Sequence, residues 1–384
     1  MQTEFSPVVR RLVVAQMSLH ATMSGARMAA PLLALQMGHE AARVGVLLAL
    51  FALAQVFLAL PVGRYVDRHG LRRPVFMAVF TASLAVLAAA LWPSYGVLCL
   101  TAVGAGAASC TAMVAVQRHA GRLSENPAEL REIFSWLAVA PTLANFAGPL
   151  STGLLIDALG FSWAFALLCL VPGVAALAAW PLAGGARRDS APQPSVRASF
   201  ALLRHVGLRK LLLVNWMLSS CYDVHAFMVP LLGHALALSA GTIGGILGGF
   251  ALAATAIRLI MPWVARHVKE MHALATAMLA TGVLLALYPW ADAAWMMAGL
   301  SVLLGVSLGS VQPMLMSTLH QVTPRARQGE ALGLRVMTIY ASSVLMPLLI
   351  GSVGAWAGAA MVFWVMGGVV ASGARLALSL KPEA

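Results

Sequence analysis

Along the chain, apolar runs alternate with short basic or glycine-rich breaks. The runs fall at roughly 10–36, 41–63, 74–92, 96–118, 131–157 and 161–183, then near 209–232, 239–263, 271–289, 294–320, 328–354 and 357–378. A bilayer core of ~30 Å needs about 20 apolar residues per helix, so each run predicts a membrane span. The widest polar stretch, 184–207, concentrates Pro, Gly, Ser and Arg and predicts a linker. The expected organisation is an all-α integral membrane protein of twelve spans. Residues 1–183 form one six-helix bundle, 184–207 the linker, and 208–384 a second six-helix bundle.

Composition supports lipid as the solvent. Of 384 residues, 60% are hydrophobic and 10% charged, against about 25% charged in soluble domains. The N-terminus lacks the cleavage pattern of a signal peptide, so the first run is expected to be a span. Cys99, Cys110, Cys169 and Cys221 all lie in apolar runs, which argues against disulfides and a zinc site. No phosphate-binding loop and no pair of histidines at metal-ligand spacing on one helix is present, so no cofactor is expected.

The formal net charge is +12, and 21 of the 25 Lys and Arg fall on one side of the predicted spans. They run from Arg10 and Arg11 through Arg64, Arg68, Arg72 and Arg73 to Arg375 and Lys381. The opposite loops hold only Arg43. This is the positive-inside pattern, so both termini and the linker are expected in the cytoplasm, with the chain in the inner membrane. The basic excess then faces anionic headgroups and not nucleic acid. A monomer is expected.

Sliding the sequence by 199 positions sets spans 1 and 2 on spans 7 and 8. Pro31-Leu32-Leu33 meets Pro230-Leu231-Leu232, Gly45 meets Gly244, and Phe51-Ala52-Leu53-Ala54 meets Phe250-Ala251-Leu252-Ala253. A shift of 198 sets Pro149, Gly153, Gly160 and Phe165 on Pro347, Gly351, Gly358 and Phe363. Two parallel six-span repeats suit an alternating-access carrier.

The break after span 2 reads Gly63-Arg64-Tyr65-Val66-Asp67-Arg68-His69-Gly70-Leu71-Arg72-Arg73-Pro74. It resembles the signature loop of the major facilitator superfamily. Gly148-Pro149-Leu150-Ser151-Thr152-Gly153 in span 5 is similar to an element of that superfamily's proton-coupled antiporters. The resemblance, carried also by the 6+6 repeat, implies a major facilitator fold. It implies gating roles for Gly63, Asp67, Arg68, Gly70, Arg72, Gly148, Pro149 and Gly153. It further implies that Asp67 meets the start of span 11, near Gln328-Gly329-Glu330, in the outward-open state. Gly63 and Gly70 are expected to allow close approach and positive φ in a tight turn. Two departures stand out. Span 4, around Val103-Gly104-Ala105-Gly106, lacks the embedded arginine of many antiporters. The second signature copy, 262–269, has lost its Asp and its glycines.

Charges inside spans are costly and mark function. They are Arg27, Asp223, Arg258 and Arg335, with His20 and His225 titratable nearby. Asp223 and Arg27 are expected to pair across the path, and Asp223 and His225 to serve proton coupling. Arg258 and Arg335, each ~12 Å inside the cytoplasmic face, have no deep carboxylate left to neutralise them. They are expected to attract an anion or to snorkel to the interface. Arg27, Arg258, Arg335, His20, Trp216 and Tyr222 make up the expected substrate site. Gly305-Val306-Ser307-Leu308-Gly309 mimics a nucleophile elbow but lies inside an apolar helix, so an enzyme is not expected.

The reading is a secondary carrier exporting a lipophilic or amphipathic, anionic organic compound against protons. Proton-linked uptake of a small organic acid or nutrient is an alternative. A non-transporting receptor or lipid-handling protein on the same scaffold is an alternative of another class.

Overall fold

A computed structural model describes residues 7–123, 127–182, 201–264, 270–323 and 327–380. Among them are thirteen α-helices. The first seven are α1 (Pro7–Gln36), α2 (Ala41–His69), α3 (Arg72–Leu91), α4 (Tyr95–Ala120), α5 (Pro127–Leu159), α6 (Phe161–Leu168) and α7 (Val171–Ala179). The other six are α8 (Val206–Ala235), α9 (Ala240–Val264), α10 (Glu270–Leu287), α11 (Ala294–Val322), α12 (Gln328–Ala357) and α13 (Ala359–Leu378).

Every predicted span is helical, with one difference. The sixth is broken between α6 and α7, because Pro172 has no N–H to donate back to Leu168. The Ser83 hydroxyl donates to the freed carbonyl of Cys169 next to it at 2.9 Å. By length and composition, ten spans among the described residues are apolar enough to cross a membrane, α6 and α7 counting as one. The two 30-residue helices that fall short, α1 and α8, are those that carry Arg27 and Asp223. Their inward-facing polar residues lower the mean hydropathy.

The helices form two compact units. One holds α1, α2 from Leu50, α3 to α7, and Leu238–Gly248 at the start of α9. The other holds Glu40–Ala49 at the start of α2, α8, α9 from Gly249, and α10 to α13. In the first, α1 packs on α4, α5 and α7 around Leu12, Leu19, Val75, Ala115 and Ala179. In the second, α8 packs on α11, α12 and α13.

The repeat seen in sequence recurs as geometry. Gly160 and Gly358, one shift apart, precede α6 and α13 with φ of +83° and +82°. Gly38 follows α1 at φ +80°, and its equivalent after α8 is Ala237 at φ +53°, a conformation that costs a non-glycine residue about 1–2 kcal/mol. A Cβ on Gly106 would run into the Phe51 carbonyl, and one on Gly305 into the Phe250 carbonyl. Gly244 rides equally close on the Pro149 carbonyl, and Gly45 on that of Pro347. Gly305 and Gly309 therefore serve helix approach inside α11, as expected of small residues in membrane bundles.

Candidate functional site

In the second unit, α8 and α12 meet along a polar seam. Asn215, Ser220 and Asp223 lie on α8, and Arg335, Thr338, Ser342 and Ser343 on α12. Asp223 is 5% exposed. Its carboxylate accepts the Ser342 hydroxyl at 2.7 Å and the Ser343 hydroxyl at 3.0 Å. Ser220 and Ser342 share a hydrogen bond of 3.1 Å.

Further along the seam, the Arg335 guanidinium donates through Nε to Asn215 Oδ1 at 3.0 Å and through Nη2 to Gln312 Oε1 of α11. At 8% exposure, held by two buried or half-buried amides, Arg335 does not snorkel. Arg258 of α9 lies within electrostatic range of it. Its Nη2 donates to the Tyr222 hydroxyl at 3.1 Å, and its Nε is buried without a partner. Among the described residues, neither guanidinium meets a carboxylate. Their hydrogen bonds among these residues go to neutral oxygens, the arrangement that leaves net positive charge for a ligand.

His225 points elsewhere. It is 1% exposed, stacks on Phe250 at 4.2 Å, and shares a hydrogen bond of 2.9 Å with Ser301. Ser301 in turn meets the Tyr288 hydroxyl at 2.8 Å. This is a satisfied polar core behind α8. Tyr222 packs edge-on against Phe250 at 5.3 Å, and Trp216 is half-buried on α8.

In the first unit, His20 shares a hydrogen bond of 3.2 Å with Ser109 and lies within reach of the Asn145 side chain and the charge of Arg27. His20 and Arg27 are half-buried, seven residues apart on one face of α1. Gly148 of α5 lies so close to α1 that a Cβ would run into the Ser24 hydroxyl, and Gly153 equally close to the Ala240 carbonyl. The Asp157 carboxylate, which the sequence reading passed over, accepts the N–H groups of Ala240 and Gly241 at 2.9 and 2.8 Å, at the start of α9.

The signature loop departs from its expected form. Gly63 and Arg68 are helical, inside α2, and only Gly70 turns, at φ +72°. A Cβ on Gly63 would meet the Arg118 guanidinium at 3.0 Å, so this glycine makes room for a side chain and not for a turn. The Asp67 carboxylate accepts Arg118 and, at 3.3 Å, Arg122, both of α4. Arg72 lies 4.2 Å over the Trp180 ring. At the start of α12, Glu330 pairs with Arg327 at 2.7 Å. The second signature copy extends into 265–269, outside the described residues, as does most of the linker.

The sequence reading missed Asn215, Gln312, Ser342 and Ser343. One signal was available, namely amide and hydroxyl side chains at helical spacing beside buried charges.

No curated protein matches this chain. The family model described as Major Facilitator Superfamily matches residues 12–288 and 211–384. Among solved structures, a POT family transporter in complex with 5-aminolevulinic acid is similar, with TM-score 0.78 and 11% identity over 98% of this chain and 96% of that one. The nucleoside transporter NupG gives 0.76 and 12% over 98% and 100%. The peptide transporter POT in complex with sulfate gives 0.76 and 13% over 97% and 94%. The chain belongs to the Major Facilitator Superfamily and is a membrane transporter, not an enzyme.

Proposed function

We propose that this transporter is a proton-coupled secondary carrier that exports a lipophilic or amphipathic organic anion across the cytoplasmic membrane by alternating access. The observation that carries the reading is the pair Arg258 and Arg335, two guanidiniums whose hydrogen-bond partners among the described residues are neutral. Desolvating such charges is costly unless a counter-charge arrives, and an anionic substrate supplies it. A structural neighbour solved with sulfate supports the capacity of this fold to hold an oxyanion.

Asp223 is the proposed proton carrier, with Arg27 as its partner in one state of the cycle and His225 as the reserve candidate. The likeness of Gly148-Pro149-x-x-x-Gly153 to antiporters supports export. The basic asymmetry that includes Arg64, Arg68, Arg72 and Arg73 supports cytoplasmic termini. The protein is proposed to act as a monomer.

Arg258→Gln and Arg335→Gln should each weaken an anionic ligand about 10- to 100-fold, the worth of a charge-assisted hydrogen bond, and spare its neutral analogue. Counterflow in proteoliposomes measures this, since only a carrier exchanges labelled substrate. Equal losses for both ligands would assign the arginines to packing.

A further inference from the structure

Arg335 is held by a closed ring of hydrogen bonds. Its Nε donates to Asn215 Oδ1 at 3.0 Å, and Asn215 Nδ2 donates to the Thr338 hydroxyl at 2.9 Å. That hydroxyl donates to the Arg335 carbonyl at 2.7 Å. Each group has one role it can fill, so the ring fixes which face of the Asn215 amide meets the guanidinium. Gln312 Oε1 takes the Nη2 side. Asn215 is 1% exposed and Arg335 8%, so little water screens the charge.

The ring orients Arg335 without neutralising it. An aspartate at 215 would still accept from the guanidinium, with the Thr338 hydroxyl turned from the Arg335 carbonyl to the carboxylate, and would supply a counter-charge. With two amides the positive charge stays available, and among the described residues the hydrogen bonds of the fork use Nε and Nη2.

The repeat gives an independent view of the same positions. Asn215 is equivalent to Gln16 of α1, and Arg335 to Leu137 of α5. Gln16 is 4% exposed and its Oε1 has no hydrogen-bond partner, while Leu137 is 2% exposed. The amide position is therefore present in both halves, and the guanidinium it serves only in the second.

We propose that Asn215, Gln312 and Thr338 form a neutral cradle that sets the substrate's charge. They are positioning residues that keep Arg335 fixed and uncompensated, so that the site takes an oxyanion such as a carboxylate or sulfonate and rejects the uncharged isostere. This rests on the anion-binding reading above and adds what enforces it.

The test uses the purified full chain in detergent, with benzoate and sulfate as anionic probes and benzamide as the neutral control. Asn215→Asp supplies the missing counter-charge. It should raise the unfolding midpoint of the ligand-free protein, whereas Asn215→Ala should lower it. A merely structural asparagine predicts that both variants lower it, and that result would overturn the cradle.

In the binding arm, the wild type should be stabilised by benzoate or sulfate and not by benzamide. Asn215→Asp should weaken that response about tenfold or more. If Arg335→Gln keeps the anion response, the anion-binding reading itself fails. If Arg335→Gln loses it while Asn215→Asp keeps it, only the cradle fails. If no probe stabilises the wild type, the anion-binding reading fails and the cradle with it.

Discussion

In the first half, α1 meets α5 through Ser24, whose hydroxyl donates to the Ala144 carbonyl at 2.9 Å. In the second half, the equivalent pair on α8 and α12 is Asp223 and Ser342, and there the hydroxyl donates to a carboxylate at 2.7 Å. One turn or two away, Gln16 and Leu137 on one seam correspond to Asn215 and Arg335 on the other. The backbone architecture is shared, down to glycines that ride on equivalent carbonyls. The charge is not. A duplicated scaffold that keeps Ser24 and Leu137 neutral and loads the equivalent positions with a buried acid and a buried base has divided its labour. The first seam supplies close packing, with Gly148 against Ser24, and the second supplies electrostatics.

The largest test of this contrast exchanges nothing but charge. Asp223→Asn should abolish dependence of transport on a pH gradient while sparing exchange at equal concentrations, measured in proteoliposomes. Ser24→Ala, at the equivalent position, should leave the gradient dependence intact. Full pH-driven transport by Asp223→Asn would move the coupling role to His20 or His225. Arg27→Gln combined with Asp223→Asn should fold better than Asp223→Asn alone, because removing one partner strands the other charge at low dielectric. Equal yields of the two variants by size-exclusion chromatography would mean that the residues are not partners.

The shared part of the scaffold is tested by glycine substitutions. Gly106→Ala and Gly305→Ala should each destabilise by about 1–3 kcal/mol, as overpacking against a backbone carbonyl does. Gly299→Ala has open space around it and should be neutral or gain up to about 1 kcal/mol of helix propensity. Thermal unfolding in detergent reads all three. Unequal costs at 106 and 305 would mean that the two halves do not pack alike.

The smallest effect on binding is expected at the signature loop, which survives only in the first half. Asp67→Asn removes the acceptor for Arg118 and Arg122. It should slow turnover and leave ligand affinity nearly unchanged, since it biases conformations without touching a ligand. A large affinity loss at normal turnover would contradict this.

Much of this was legible in the linear chain for a definite reason. Lipid demands that every spanning backbone group bond within its own helix, so apolar runs of sufficient length translate directly into spans. Proline and glycine at fixed separations exposed the repeat, because those residues mark backbone events that side-chain drift does not erase. Buried charge was legible too, since Arg27, Asp223, Arg258 and Arg335 stand out in apolar surroundings whatever they touch.

What the sequence could not decide was partnership. Asn215 and Gln312 look like minor polar residues in apolar helices, and nothing linear ties either to Arg335, 120 and 23 positions away. Gly63 sits in a motif that suggests a turn, yet the α-helix continues through it and its missing side chain leaves room for Arg118. His225 reads as titratable, but burial and a bond to Ser301 give it a place in the core. Helix periodicity fixes which residues share a face, whereas the neighbouring helix fixes what that face meets. Only helix packing therefore left Arg335 with amides in place of a carboxylate, and so with its charge unspent.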